Sequence, residues 1–210
     1  MTKKEESKII LNEISKLYPE ATIELNYKQK HELLIAIMLS AQTTDKAVNK
    51  VTKKLFNDFE SLEAYANAEL SELESCIKTI GLYRNKAKNL KNLAIKIIDK
   101  YERDVPSTQK ELEDLPGVGR KTANVYLAEY HEIPRIAVDT HVSRVSIRLG
   151  LAKKGDSPIQ VEKKLMKIYH KDQWITLHHK FIHFGRYFCK ARNPKCKECP
   201  LLEICKMPMI

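Results

Sequence analysis

Residues Leu115–Ala123 have the sequence LPGVGRKTA and lie between two segments with helical apolar spacing. Pro116 predicts the end of the first helix, because a residue that precedes proline avoids the helical region. Gly117 and Gly119 allow backbone angles that side chains forbid. We therefore predict two helices joined by a tight hairpin, with the second helix beginning directly after Gly119.

The hairpin has the properties of a phosphate-binding site. Gly117 and Gly119 have no side chain that would keep a phosphate from their backbone N–H groups, and the following helix adds its positive N-terminal end. The amide of Val118, which lies between them, is expected to contribute to the same contact. Arg120 adds a full positive charge beside them. An ordinary turn needs no such combination. The segment therefore predicts a helix-hairpin-helix at about 107–130 that binds a nucleic-acid backbone without reading its sequence.

Lys121 has two possible roles. It follows Arg120 in the first turn of the second predicted helix, where the helix dipole and the neighbouring guanidinium both disfavour a cation. That environment favours the neutral amine, which is the form that attacks carbon. Contact with a phosphate explains the same residue equally well. The residues alone therefore leave a nucleophile and a phosphate ligand equally supported.

Asp139 follows a short apolar run and precedes a segment with helical spacing. Aspartate at this place predicts the N-cap of a helix that runs to about Arg148. A capping carboxylate is held rigidly, so it is also suited to stabilise a developing positive charge or to assist proton transfer. Capping alone is the simpler interpretation, and the two roles are compatible.

The last part of the chain changes character, because four of its five cysteines lie there with the spacing C-x6-C-x2-C-x5-C. They are Cys189, Cys196, Cys199 and Cys205. Four thiolates hold either an iron–sulfur cluster or a structural zinc ion. The loop between the first two cysteines carries three basic residues that we expect to contact phosphate, Lys190, Arg192 and Lys195. Cys76 lies far from this group, and we expect it in the core.

Composition bounds the class of protein. The 210 residues are 43% apolar, include only 6 glycines and carry a formal net charge of +10. The first two values indicate a globular and mainly helical chain. The charge favours a polyanionic partner, and nucleic acid is the leading candidate. Solubility of a lysine-rich chain is the alternative explanation.

Local signals place about ten helices and no strand. An apolar stripe with helical spacing runs from Leu90 to Tyr101, and a second one covers part of Leu33–Leu39. Gly81 predicts the end of a helix near Ile80. Ser157 followed by proline predicts the start of another helix.

Two features predict a cytoplasmic protein. The longest apolar run, Leu33–Leu39, is too short to span a membrane. The first residues, MTKKEESK, lack the apolar core of a signal peptide. Thiols stay reduced in that compartment, so we do not expect a disulfide framework.

The chain resembles the endonuclease III family of helix-hairpin-helix DNA glycosylases over nearly its whole length. Four strings occur in the family's order, together with the cysteine spacing: LSAQTTD (Leu39–Asp45), GLYRNKA (Gly81–Ala87), LPGVGRKTAN (Leu115–Asn124) and VDTHVSRV (Val138–Val145). The resemblance implies an all-α fold with a six-helix barrel domain at 22–133. It also implies a helical iron–sulfur domain built from both chain ends, 1–21 and 134–210, with a 4Fe–4S cluster in loop 189–205.

The resemblance also implies residue roles. Lys121 would attack the anomeric carbon of the deoxyribose, release an oxidised pyrimidine and cut the strand on the 3′ side by β-elimination, with Asp139 as the assisting carboxylate. Gln42 would fill the gap in the duplex beside an apolar wedge, Leu82. Arg84 joins the hairpin and the cluster loop among the expected DNA contacts. Possible contacts to the damaged base are Ser40, Asp45, Glu113 and His141.

The expected partner is double-stranded DNA with damaged bases or abasic sites, bound by a monomer at the nucleoid. An adenine glycosylase of the same superfamily would need a carboxylate where this chain has Ala36, and a mismatch thymine glycosylase would replace Lys121. A non-catalytic DNA-binding module with a structural zinc ion explains the charge, the hairpin and the cysteines. It does not explain Lys121 together with Asp139.

Overall fold

The computed structural model describes residues 2–209, and every regular element in that range is helical, as predicted. None of the described helices is both long and apolar enough to cross a membrane. The described part has eleven α-helices, against about ten predicted: α1 (Lys3–Leu17), α2 (Lys30–Leu39), α3 (Asp45–Asp58), α4 (Leu62–Asn67), α5 (Leu70–Ile77), α6 (Tyr83–Lys100), α7 (Gln109–Asp114), α8 (Arg120–His131), α9 (Thr140–Arg148), α10 (Pro158–Ile168) and α11 (Trp174–His183).

The chain divides into two compact units. The central unit is Glu24–His131 and contains α2 to α8. The terminal unit combines the segment that ends at Ile23 with the segment that begins at Glu132, and it contains α1 and α9 to α11. Each unit has its own buried apolar residues.

Helix α2 forms the centre of the central unit. All residues from His31 to Leu39 are buried, although the sequence pattern assigns only part of this run to one apolar stripe. A helix that is apolar on all sides belongs in the interior, and α2 packs against α3, α6 and α8. These three helices are therefore positioned by direct packing on α2.

The helices that precede α6 differ from the sequence prediction in detail. Only Ala68 and Glu69 separate α4 from α5, and the unit contains seven α-helices when these two short ones are counted separately. Helix α5 ends at Ile77 and not near Ile80, and the left-handed residue after it is Leu82 and not Gly81. The prediction that Cys76 lies in the core is wrong, because its side chain is only partly buried.

The terminal unit is built around an apolar core that α1, α9, α10 and α11 share. The ammonium of Lys180, on α11, donates hydrogen bonds to the carbonyl oxygens of Tyr18 and Pro19, which secures the end of α1. Ser157 caps α10 and a proline follows it, as predicted. Helix α11 continues into a π-helical turn, Phe184–Phe188, which leads into the cysteine-rich tail.

The two hairpin glycines serve different purposes. Gly117 has a φ of +79°, and a Cβ atom there would lie 2.8 Å from Met38 Sδ and 3.0 Å from the Asn89 side chain. Gly119 has no left-handed φ, and a Cβ atom there would meet no atom within 4 Å. The prediction that both glycines supply special backbone angles is therefore correct for Gly117 and wrong for Gly119.

The first testable prediction concerns stability. We expect Gly117→Ala to lower the free energy of unfolding by about 1–3 kcal/mol, because the new methyl group meets both backbone strain and two close neighbours. Gly119→Ala is the matched control and should cost less than about 1 kcal/mol. Urea unfolding followed by circular dichroism measures both values, and equal losses in the two variants would contradict the assignment.

Candidate functional site

The hairpin between α7 and α8 is anchored by apolar side chains and open at its glycines. Leu115 and Val118 are buried, at 2% and 5% exposure, while Gly117 and Gly119 are exposed. The amide of Val118 donates to the carbonyl oxygen of Leu115 at 3.1 Å. The predicted amide contact from Val118 is therefore already used inside the hairpin, which leaves the two glycine amides for a ligand.

Lys121 is the second residue of α8, and its side chain is exposed. It makes no hydrogen bond or ion pair with any residue in the range that the structure describes. The first turn of α8 contains no acidic residue that could neutralise it, and the exposed Arg120 precedes it. The amine is thus available to an incoming substrate.

Gln42 and Leu82 lie in adjoining loops of the central unit. Both have left-handed backbones, with φ of 54° and 60°, and both side chains are exposed, that of Leu82 at 56%. Such a conformation costs a residue other than glycine about 1–3 kcal/mol and clusters at functional sites. A Cβ atom on Gly81 would lie 3.9 Å from the Gln42 carbonyl oxygen, so the structure brings the two loops together.

The other predicted side chains of the central unit fall into separate groups. Ser40 and Asp45 flank the Gln42 loop, and the Ser40 hydroxyl donates to the carbonyl oxygen of Ile37 at 2.8 Å. Glu113 accepts a hydrogen bond from Gln109 at 2.7 Å and lines an open pocket of about 870 Å³, which neither Ser40 nor Asp45 lines. The Arg84 guanidinium is exposed and lies 4.9 Å from the centre of the Tyr83 ring.

Asp139 caps α9 in the terminal unit, as predicted. One carboxylate oxygen accepts the backbone N–H groups of His141 and Val142, both at 2.8 Å. The other lies 3.1 Å from Nδ1 of His141. The carboxylate side chain is only 13% exposed, so three contacts fix its orientation. His141, a predicted base contact, therefore has one ring nitrogen engaged by Asp139.

Two arginines of α9 hold the start of the cysteine-rich tail. Arg144 donates to the carbonyl oxygens of Gly185 at 2.7 Å and Cys189 at 3.1 Å. Arg148 donates to the carbonyl oxygen of Lys190 at 2.7 Å. These bonds fix the backbone where the loop begins, while the side chains of Lys190, Arg192 and Lys195 stay exposed.

All four tail cysteines line one small pocket in the terminal unit. Burial is the main cause that raises the pKa of the Cys199 thiol, and the other three cysteines raise it further, because neighbouring thiolates repel one another. A bound metal would relieve that repulsion, so the four thiols fit an iron–sulfur cluster, as they would fit a zinc ion. Among the described residues no group of three or more histidine, cysteine, aspartate or glutamate side chains is arranged to hold a single metal ion.

Sequence reasoning missed several residues that organise these loops. They are Met38, Thr43, Lys86, Asn89 and Arg148. Lys86 had a visible signal, since it lies four residues before Leu90 on the apolar stripe of α6 and is buried at 5% exposure. The contacts of Met38 and Asn89 with Gly117 had none, because they join segments far apart in the chain.

Comparison with known proteins identifies the group to which this chain belongs. Residues 35–171 match the family model described as HhH-GPD superfamily base excision DNA repair protein. Residues 189–205 match the iron-sulfur binding domain of endonuclease III. The second match settles the choice between zinc and iron in the tail: the chain carries a 4Fe–4S cluster.

Individual relatives agree with the family models. Endonuclease III of Bacillus subtilis (strain 168) is 50% identical over 196 residues, which covers 93% of this chain and 90% of the relative. A solved structure of an endonuclease III trapped as a covalent intermediate with DNA is 51% identical, with a TM-score of 0.95 over 98% of this chain and 97% of the other. A thermostable thymine-DNA glycosylase, at 24% identity and a TM-score of 0.80 over 96% of each chain, shares the fold.

The extent of these matches excludes a non-catalytic zinc module and places the chain inside one group of enzymes. The chain belongs to the HhH-GPD superfamily, and within it to the endonuclease III family of base excision repair enzymes, which are DNA glycosylases with abasic-site lyase activity.

Proposed function

We propose that Lys121 is the nucleophile of this glycosylase and lyase, and that its substrates are oxidised pyrimidines and abasic sites in double-stranded DNA. One observation carries the proposal. The Lys121 amine is exposed, without a partner in the described range, and directly follows the hairpin of Gly117 and Gly119. The glycine amides can bind a backbone phosphate, and the Lys121 amine lies within one helical turn of them. This arrangement suits an enzyme that binds a DNA strand and attacks its sugar.

The proposed chemistry begins at the anomeric carbon of the deoxyribose. The neutral Lys121 amine forms a bond to this carbon, the bond to the base breaks, and the amine loses its proton. The lone pair of the nitrogen then expels the ring oxygen, which takes up a proton, and the opened sugar is held as a protonated Schiff base. This Schiff base loses a proton from the neighbouring sugar carbon, and the 3′ phosphate leaves by β-elimination. Asp139 stabilises the positive charge that develops on the sugar or accepts the proton of the amine.

The three contacts that cap α9 give Asp139 its place in this scheme. A carboxylate whose orientation is fixed beforehand loses little free energy when it must face a reacting sugar. The capping role and the catalytic role therefore depend on the same hydrogen bonds, to His141 and Val142. Its negative charge is the part that catalysis needs and that capping does not.

The remaining site residues are proposed as DNA contacts. The glycine amides of the hairpin and Arg120 would bind one part of the backbone, together with Arg84. The cluster loop would bind another part, through Lys190, Arg192 and Lys195. Gln42 would enter the gap left by the flipped nucleotide and Leu82 would separate the neighbouring bases, since base chemistry requires removal of the base from the stack. Contacts to the damaged base are assigned to Ser40, Asp45, Glu113 and His141.

The cluster would be held by the four tail cysteines. Their segment, 189–205, contains only short 3₁₀ turns, and Leu201 is its one buried apolar residue. Such a segment has too little core to hold its own shape, so bonds to iron would supply the missing constraint. We assign the barrel and cluster domains of the family to 22–133 and to the two chain ends, and we propose a cytoplasmic, nucleoid-associated monomer.

Borohydride trapping tests the nucleophile. Borohydride reduces a Schiff base, so we expect the protein to form a covalent adduct with a duplex that contains an oxidised pyrimidine. Lys121→Gln should abolish the adduct and keep DNA binding, while the exposed Lys110→Gln on α7 should trap like the unmodified protein. Undiminished trapping by Lys121→Gln, measured on a denaturing gel, would show that another residue is the nucleophile.

A pair of Asp139 variants separates charge from capping. Asp139→Asn keeps an oxygen that accepts the α9 amides but removes the charge, whereas Asp139→Ala removes both. We expect Asp139→Asn to unfold close to the native protein and to lose at least about 100-fold in base release, a normal size for acid–base assistance. Native activity in this variant would reduce Asp139 to a helix cap.

The hairpin is tested through affinity. Gly119→Ala should bind undamaged duplexes about tenfold more weakly, because its methyl group stands where the backbone phosphate must approach. The loss should be the same for two unrelated sequences, and affinity of the native protein should fall steeply as salt rises. Fluorescence anisotropy measures the dissociation constants of the variant and the salt dependence of the native protein. A loss of affinity that differs between the two sequences would contradict binding to the DNA backbone.

A further inference from the structure

Helix α6 contacts two other functional segments of the central unit. Lys86, in its first turn, donates from Nζ to the Thr43 hydroxyl at 2.8 Å, and Thr43 directly follows Gln42. Asn89, three residues later, would contact a Cβ atom on Gly117 at 3.0 Å. Residues three apart share one helix face, so this face of α6 meets both the Gln42 loop and the hairpin. Leu82 immediately precedes the same helix.

Lys86 is an unusual residue for its position. It is buried at 5% exposure, on the stripe that continues with Leu90 and Leu93. Its ammonium has three donors, and Thr43 provides the one hydrogen-bond acceptor found for it among the described residues. Burial of this group lowers the pKa of Lys86. An apolar side chain would fill the site at lower free energy, so packing does not explain the ammonium.

The segment that Lys86 contacts is an exposed loop with a strained backbone. Ala41, Gln42 and Thr44 are exposed, and Gln42 has its strained left-handed backbone. A residue other than glycine stays in that conformation only where its surroundings impose it. The other hydrogen bonds of Ala41 and Thr43 are local: the Thr43 amide donates to Ser40, the Thr43 hydroxyl donates to the carbonyl oxygen of Ala41, and the Ala41 amide donates to Met38. The contact of Lys86 with Thr43 joins this loop to α6.

We propose that Lys86 is a positioning residue for base extrusion: through the Thr43 hydroxyl it holds the Gln42 loop beside Leu82, so that both side chains enter the duplex together. The proposal rests on the roles proposed above for Gln42 and Leu82. Without this bond the loop relaxes toward ordinary backbone angles, and ordering it again opposes insertion into DNA. The step that suffers is separation of the base pair, and the chemistry at Lys121 is unaffected.

The test compares two substrates that differ in one property. The same oxidised pyrimidine is placed opposite a purine in one duplex and as an unpaired one-nucleotide bulge in the other. In the bulge no base pair has to be broken before the base is extruded. Single-turnover base release is measured for Thr43→Val and Lys86→Met. We expect a loss of about tenfold on the paired lesion, in line with one charged hydrogen bond, and less than about twofold on the bulge.

Three variants complete the design. Thr43→Ser keeps the hydroxyl and should restore the native rate on the paired lesion. Lys53→Met removes an exposed lysine of α3 and should leave the ratio of the two rates unchanged. The Thr43→Val/Lys86→Met double variant should be no slower than either single variant, because all three lack the same bond.

Two results would overturn the proposal. Equal losses on the paired and bulged lesions indicate general structural damage, and native rates in Thr43→Val indicate that the bond has no role. Thr43→Val and Thr43→Ser decide the question even where Lys86→Met fails to fold. Failure of the proposed nucleophile appears separately, as trapping by Lys121→Gln, and failure of the proposed substrate appears as no release by the native protein from either duplex.

Discussion

The contact at Gly117 is the constraint on which the central unit depends. There the hairpin backbone approaches Met38, at the end of the buried helix α2, and Asn89 on α6, so closely that a methyl group would have to displace them. Because α2 is buried on all sides, its position is set by the whole unit, and the hairpin inherits that position. The loop that is proposed to present its backbone amides to a phosphate is thereby packed against the buried helix α2, and Lys121 follows the loop directly along the chain.

The terminal unit also fixes an irregular segment by contact with a helix. Its cysteine-rich tail has almost no core of its own, so its start is secured from outside by Arg144 and Arg148 on α9. The same helix begins at Asp139, whose carboxylate is fixed by the first turn. The short helix α9 therefore supports both the proposed catalytic carboxylate and the first cysteine of the cluster. A displacement of α9 would move both groups.

Local signals in the sequence predicted the features that depend on neighbouring residues. The caps at Asp139 and Ser157 follow from side-chain chemistry within three residues, and the helical class follows from composition and spacing. Contacts between distant segments did not follow, which is why Thr43 and Lys86 were missed and why Gly119 was given a backbone role that only Gly117 has. The residues alone also left the choice between zinc and iron open, because four thiolates bind both. That choice was decided by similarity to the iron–sulfur binding domain of endonuclease III.

The left-handed conformations of Gln42 and Leu82 set stability against activity at two defined positions. Glycine would adopt either conformation without strain, so replacement by glycine relaxes the folded protein while removing the side chain that is proposed to contact DNA. Directed evolution for thermal stability alone would therefore favour glycine at these two positions. We expect the resulting proteins to be more stable but to lose the ability to extrude a base from the duplex. Stabilising substitutions are therefore best placed on surfaces away from the two loops, where a gain in stability does not remove a proposed DNA contact.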